Sequence, residues 1–500
     1  MENGSESRKS ATAWLDDGIF NRTGRNILLY SVASLLLAGC SKSNTSKMDI
    51  ISFFILSIFL LIGCSSDNNS SEVDETFTVS GKVVDSDGSG LANISITIGN
   101  QTVYSSASGE WSVSNLKGSV KITPMADGYT FTPASATASS TLTVTFVAEK
   151  TAIDLSAEAE NIVAWFENVQ YSNGLLPSTE SSSTMSLYDN ALAALVFTAT
   201  GKYSKAESIF NFFNQRIGSE LTTNGGFYQF RNTDGTTSGD RWLGDNAWLL
   251  IALNNYTAKV ETTKYDKLKS TLEIWIRSMQ DKDGGLWGGI TASNSTIPKN
   301  TEGMIDAYCA VQGYDDFHKK LLAYLKENRY NSTDGLLVSW PGNYYEYALD
   351  NHSWGYCTFE DFPKTVLEKT TMYANTQRAT VNGALITGFA PDIDKDIVWL
   401  EGTGQMVVAY QKAADSYKST TYLAEMRKLL ISSTLYPNSV GLPYASNLGT
   451  TYGSSQLWKG ADTNICISSS AWYLFGLLNF DPMAVGYSRG TPDVDKFWKD

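Results

Sequence analysis

The chain is poor in the residues that hold metals or build redox frameworks. It has 2 His and 5 Cys among 500 residues. Cys40 and Cys64 end short apolar runs near the N-terminus, which leaves Cys309, Cys357 and Cys466. Three cysteines cannot all pair, so no disulfide framework is read here. They fall within or just before apolar helical stretches and look like small buried residues. No metal-ligand spacing appears, since Asp281-Lys282-Asp283-Gly284 lacks the rest of a calcium loop. Positive charge is also short, with 38 Lys and Arg against 52 Asp and Glu, a net charge of -14 and no basic patch. That argues against a nucleic-acid partner. No phosphate loop or dinucleotide fingerprint is present, and no cofactor is expected. Long apolar runs are missing too: 27–37 and 50–62 fall short of the ~20 residues of a spanning helix.

What is abundant is apolar and aromatic residues, at 42% and 12% of the chain. That is ample for a large core and points to two or three domains. The 26 Tyr and 13 Trp suit stacking on sugars as well as packing between helices.

The first 63 residues read as a targeting region, set aside for the fold. Leu37-Ala38-Gly39-Cys40 and Leu61-Ile62-Gly63-Cys64 each follow an apolar run and resemble bacterial lipoprotein signals. Met48 stands before the second run and is a candidate start. Lipidation is expected at Cys64, because cleavage at Cys40 leaves a second apolar segment behind. Against that choice, Arg22 and Arg25 precede the first site, whereas Asp49 follows Met48. The resemblance implies a lipid anchor in the bacterial envelope, at the outer membrane, with residues 64–75 as a polar tether.

Residues 76–149 read as a small β-sandwich. Phe77, Val79 and Val83 alternate with polar residues, with Gly81 and Val84 interrupting, and Ile94-Ser95-Ile96-Thr97-Ile98 alternates cleanly. Ser80-Gly81-Lys82-Val83-Val84-Asp85, Ser108-Gly109-Glu110-Trp111 and Asp127-Gly128-Tyr129 resemble the carboxypeptidase regulatory-like domain. That resemblance implies an Ig-like or prealbumin-like fold acting as a spacer or binding module.

From 152 to 482 the pattern is helical and repeated. Amphipathic stretches (157–168, 204–216, 263–280, 316–327, 364–373 and 421–432) alternate with more apolar helices. Five of the apolar helices start at carboxylates, Asp189, Asp245, Glu302, Asp350 and Glu401, spaced by 56, 57, 48 and 51 residues; the sixth starts near Ser468, 67 further on. Glycine turns keep the same beat: Gly174, Gly225-Gly226, Gly284-Gly285, Gly335 and Gly441. The 106 residues from Gly335 to Gly441 are two steps, so one turn is missing or degenerate, near Pro391-Asp392-Ile393-Asp394. Six two-helix units without polar end caps favour a closed ring over a solenoid.

This repeat, with Trp399-Leu400-Glu401-Gly402-Thr403-Gly404-Gln405, resembles the six-hairpin, or (α/α)6 toroid, glycosidase superfamily. The resemblance implies a mainly α fold whose substrate lies over the ring end where the inner helices begin. It also implies an oligo- or polysaccharide partner, and a monomer is expected, followed by a tail at 483–500.

Asp and Glu favour helix N-termini for capping alone. Five on one inner ring repel one another, however, and such repulsion raises carboxyl pKa values as general acid catalysis requires. Packed helix axes lie about 8–10 Å apart, so carboxylates on neighbouring helices can reach the ~6.5–9.5 Å separation of an inverting pair. Glu401 is read as acid or base, with Asp350 or Asp245 as its partner. Asp189, Glu302, Trp242, Trp248, His352, Trp354, Trp399 and Gln405 are read as substrate-binding. In the 399–405 stretch, the glycines would let a ligand approach and the Trp would offer a flat face. His352 is alternatively a lyase base, whereas His318 is read as exposed. The expected activity is glycoside hydrolysis. The alternatives are a non-catalytic glycan-binding lipoprotein and a polysaccharide lyase or epimerase on the same fold.

Overall fold

The computed structural model describes residues 76–150, 155–340, 346–452, 455–484 and 489–499. The lipidation expected at Cys64, the tether at 64–75 and the region before it lie outside the described residues.

Eight strands open the described chain: β1 (Phe77–Asp85), β2 (Ser95–Ile98), β3 (Gln101–Tyr104), β4 (Glu110–Leu116), β5 (Val120–Met125), β6 (Tyr129–Thr132), β7 (Ala136–Ala138) and β8 (Leu142–Lys150). They form two four-stranded sheets, ordered β4-β1-β8-β6 and β3-β2-β5-β7. Only the β1–β8 pairing is parallel. The period-2 pattern puts Val79, Val83, Ile96, Ile98, Val113, Ile122 and Phe146 into one shared core. Gly81 does not break that pattern, because it is buried between Val79 and Val83. A Cβ there would overlap the Val144 carbonyl oxygen and come 2.9 Å from Trp111 Cζ2, so the neighbouring strand and the indole fill the space a side chain would need.

The rest is helical. The inner helices are α2 (Leu187–Ala199), α4 (Leu243–Val260), α6 (Thr301–Ala310), α8 (Asp350–Thr358), α10 (Leu400–Lys412) and α12 (Ile467–Leu478). They alternate with α1 (Ala157–Val169), α3 (Tyr203–Asn214), α5 (Asp266–Ser278), α7 (Asp316–Asn328), α9 (Thr365–Lys369) and α11 (Ser416–Arg427). The inner helices are buried over most of their length, and the middle of α4 is apolar on every side, as Leu249, Leu250, Ile251, Ala252 and Leu253 illustrate. Each inner helix packs on the next, from α2 through α4, α6, α8 and α10 to α12, and α12 returns to α2.

A recurring hydrogen bond sets where four of the inner helices begin. The fourth residue of α2, Asn190, accepts from Leu176 N–H and donates to the Leu176 and Ser186 carbonyls. In α4, Asn246 does the same with Phe227 and Trp242. The fourth residues of α10 and α12, Thr403 and Ser470, accept from Phe389 N–H and Leu442 N–H. The partner is in each case a buried apolar residue one or two positions after a glycine, whose backbone needs a partner away from water. Loss of Asn246 in Asn246→Ala orphans both backbone groups of Phe227. We expect it to cost about 2–4 kcal/mol in urea unfolding; a cost within about 0.5 kcal/mol of zero would contradict the clamp.

The same bond locates the turn missing from the glycine beat. Phe389 follows Gly388, which lies 53 residues after Gly335 and 53 before Gly441. The glycine of that step is therefore Gly388, not a residue of 391–394, and it lies in a strand rather than a turn. It is disguised because it sits opposite Asn375 at the open end of a β-hairpin pairing Ala374–Arg378 with Leu385–Phe389. A Cβ at Gly388 would come 2.6 Å from Thr403 Oγ1.

The two-sheet region docks at the C-terminal ends of α2 and α4, away from the helix starts. Asp127 accepts from Ser204 N–H and Oγ, Gly128 N–H donates to the Gly201 carbonyl, and Lys121 Nζ reaches the Glu261 carbonyl. Across the 18 residues of α4, roughly 27 Å at 1.5 Å per residue, the opposite end is left to the helix starts. Residues 489–499, set apart in the sequence as a tail, pack on α6 to α9. Phe497 and Trp498 are buried against Phe359 and Phe362, and Thr491 bonds Tyr308.

His318 is buried, not exposed. It occupies the third position of α7, where its Nδ1 accepts from the Asp315 backbone N–H in a capping box. Its Nε2 lies 3.0 Å from the Val311 carbonyl. The aromatic rings of Tyr308, Tyr314 and Phe317 enclose it. The charged run around it hid this role, because a capping His points back into the helix it starts.

Candidate functional site

Five inner helices start from extended backbone, with ψ of 111° to 147° at Ser186, Trp242, Asn300, Trp399 and Cys466. Their first turns therefore emerge from short β connections at one end of the molecule. A cleft opens there. Its aromatic wall is Tyr188, Trp242, Trp248 and Trp354, and its carboxyls are Asp245, Glu302 and Asp306, with Asn300 beside them. The cleft encloses about 360 Å³ of empty space counting its open part, and as a whole it leaves only about 20 Å³ to the centre of a water-sized group.

The aromatic wall continues inward as a cluster. Trp248 meets Tyr188, Trp354 and Trp472 edge-on, with ring centroids 5.4, 5.3 and 5.9 Å away. Glycines permit the close approach of α4 and α6. A Cβ on Gly244 would stand 2.8 Å from Asp306 Oδ2, so only glycine leaves room for that carboxyl against the start of α4.

The structure brings together only some of the residues expected to converge. Asp245, Glu302, Trp242, Trp248 and Trp354 line the cleft, whereas Asp189, Asp350, Glu401, His352, Trp399 and Gln405 do not. Glu401 is 1% exposed and receives the Tyr188 hydroxyl at 2.6 Å; Gln405 Nε2 also faces it, at 3.4 Å. Gln405 in turn accepts from Ser353. Asp350 accepts from the Tyr452 hydroxyl. Asp189 donates its N–H to the capping Ser186 Oγ, and the Ser178 and Ser186 hydroxyls favour the ionised form of its carboxyl. Trp399 covers its own Gly402, and Gly404 packs under Trp472, where a Cβ would come 2.7 Å from Trp472 Cβ. The glycines of the 399–405 stretch thus serve helix packing rather than ligand approach. His352 is fully buried, 6.0 Å from the Tyr373 ring, and burial pushes its imidazole down to about 4.

Three lining residues escaped the sequence reading. Asp306 lies one helical turn after Glu302, a spacing that puts both on one face of α6 and was legible. Tyr188 is the second residue of α2, as Glu302 is of α6 and Glu401 of α10. Asn300 precedes α6 at the capping position but makes no capping bond.

Every first-turn carboxyl is harder to ionise than usual, and burial is the largest cause. Asp189 is raised to about 7, Asp245 to about 8 and Glu401 to about 8. Glu302 and Asp306 are raised well above their usual values, with neighbouring carboxylates adding to the effect of burial; Asp350 is raised too. The folded state therefore holds protons that the unfolded chain releases near pH 4. Stability is fullest below that range and is lost as pH rises toward 8. Each group contributes on the order of 1.4 kcal/mol for every tenfold by which folding weakens its acidity. We expect the melting temperature to fall between pH 5 and pH 8, and Asp245→Asn to flatten that slope. A melting temperature that rises across the window would contradict the arrangement.

No family model and no curated protein sequence matches the chain. Among solved structures, it is similar to a glycosidase variant at 11% identity, over 65% of this chain and 96% of that one, with a TM-score of 0.46. It is similar to an α-amylase from Clostridium perfringens at 10% identity, over 65% and 99%, with a TM-score of 0.48. It is also similar to a family 76 glycoside hydrolase from a bovine Bacteroides thetaiotaomicron strain at 12% identity, over 78% and 93%, with a TM-score of 0.42. Likenesses this distant carry no inference about the reaction or the substrate.

Proposed function

We propose that the chain is a carbohydrate-active enzyme built on an (α/α)6 toroid, and that it cleaves glycosidic bonds at the cleft formed by the inner-helix starts. The observation that carries this reading is the pairing of Asp245 and Glu302. They stand on adjacent inner helices and border one cleft, open to solvent, with Trp walls. Glycosidic cleavage needs a carboxylic acid to protonate the leaving oxygen and a carboxylate to act as base or nucleophile. Glu302 is assigned as the acid. It is the one first-turn carboxyl of the inner helices that is not fully buried, and its environment keeps it protonated. Asp245 is assigned as the partner; its carboxyl is raised to about 8, so it serves as base or nucleophile only once it has given up its proton, which favours the alkaline side of the range.

Glu401, the first choice on sequence grounds, is assigned a supporting role through Tyr188, whose hydroxyl it orients at the cleft wall. A lyase centred on His352 has less support, because that imidazole is buried and stands apart from the cleft. The test is a glycan-panel screen of the purified chain, reading both new reducing ends and ultraviolet absorbance. New reducing ends without absorbance support hydrolysis. Absorbing, unsaturated products would replace it with a lyase, and binding without turnover would replace it with a glycan-binding protein.

A further inference from the structure

The cleft carries acidic groups without a basic one. Asp245, Glu302 and Asp306 line it, and no Lys, Arg or His does. The charges that act on these three carboxyls come from one another and from Asp189, Asp350 and Glu401. Among the described residues, no group of three His, Cys, Asp or Glu side chains is arranged to hold a metal ion. The charge thus lacks both a protein cation and a metal geometry.

Two acceptors in the same cleft are unused. Asn300 stands where an Asn ordinarily caps its helix, yet it makes no capping bond, and its Oδ1 is buried without a partner. Asp306 Oδ1 is likewise buried and unpartnered, on a residue 1% exposed. Buried acceptors left in this state are costly unless something donates to them. The surrounding faces are those of Trp242, Trp248 and Trp354, which attract a cation through their ring quadrupoles. The cleft, with about 20 Å³ for the centre of a water-sized group, admits such a group but not a sugar ring.

We propose that this cleft receives the ammonium group of an amine-bearing sugar, so that the preferred substrate class is a glycan with free amino groups, such as a deacetylated hexosamine oligomer. The ammonium offers three donors to Asn300 Oδ1, Asp306 Oδ1 and a neighbouring carboxyl, and the sugar ring stays outside at the cleft mouth. An N-acetylated sugar loses the charge and adds bulk that the cleft does not hold. A uronate brings an anion to a cleft with no cation to receive it. The inference rests on the carbohydrate reading above.

The experiment is calorimetric titration of the full chain with three matched oligosaccharide sets: free-amine hexosamine, N-acetylated hexosamine and hexuronate. The expected result is binding of the free amine at least about tenfold tighter than the N-acetylated form, with no detectable uronate binding. Asp306→Asn should cut the preference several-fold while leaving N-acetyl affinity in place. Should that variant not fold, added salt makes the same test on the unaltered chain, since a preference set by charge shrinks as salt rises. Equal or tighter binding of the N-acetylated or uronate set would overturn the amine preference and leave the carbohydrate reading standing. Failure of all three sets to bind, while neutral glycans do, has the same effect. Absence of binding by any glycan would overturn both.

Discussion

Glu302→Gln is expected to lower turnover by roughly 10²–10⁴-fold, the contribution general acid–base catalysis typically makes, while substrate affinity changes little. Gln keeps the size and hydrogen-bonding reach of Glu but cannot give up a proton. Glu302 sits on the second residue of α6 at the cleft, and Asp350, Asp306, Asp245 and Glu401 oppose its ionisation on top of burial. A general acid must be protonated at working pH, and this surrounding extends that condition toward neutral pH. The activity of the unaltered chain should therefore not collapse between pH 5 and 7, as it would for an acid near the usual 4.5. The apparent values on both limbs belong to the coupled carboxyls as a set rather than to Glu302 alone. Initial rates and binding measured side by side decide the matter. A loss of affinity equal to the loss of rate would make Glu302 a binding residue only.

Trp248→Ala is expected to destabilise the chain by about 3–5 kcal/mol, the range for removing a large aromatic from a core. Trp248 is 1% exposed and sits where α2, α4, α8 and α12 meet, in contact with the rings of Tyr188, Trp354 and Trp472. No single neighbour can move into the space it leaves, because all three remaining rings are tied to different helices. The effect should reach the site as well. Tyr188 leans on Trp248 and donates to Glu401, while Trp472 Nε1 donates to the Tyr188 hydroxyl at 3.1 Å. Chemical unfolding checks the stability term. A cost below about 1 kcal/mol would mean that the aromatic cluster is not the packing centre described here.

Much of this arrangement was legible in the residues. The glycine turns and the apolar starts every fifty or so residues identified the inner helices, because each repeat needs a tight turn followed by a buried apolar residue. The register of each start was not legible. Counting repeats at carboxylates treated Asp245, third in α4, Glu302, second in α6, and Asp350, first in α8, as equivalent. Successive helical residues turn by about 100°, so those side chains point in different directions. Asp245 and Glu302 reach the cleft, Asp350 bonds Tyr452, and Glu401 bonds Tyr188. The Asp-Asn pairs at 189–190 and 245–246 carried a second message, since their asparagines clamp the preceding turns. Asn300 gave no signal at all, because an Asn before a helix reads as a cap whether or not it caps.

The most direct measurement of the central claim is a crystal structure of the Glu302→Gln chain with an uncleaved oligosaccharide bound. The account predicts the sugar at the inner-helix starts, stacked on the Trp354 and Trp242 wall, with residue 302 within hydrogen-bond reach of a glycosidic oxygen and Asp245 flanking the same bond. A glycan bound at the opposite end of the helices, on the two-sheet region, or in the cleft with its glycosidic oxygens out of reach of both residues would contradict it.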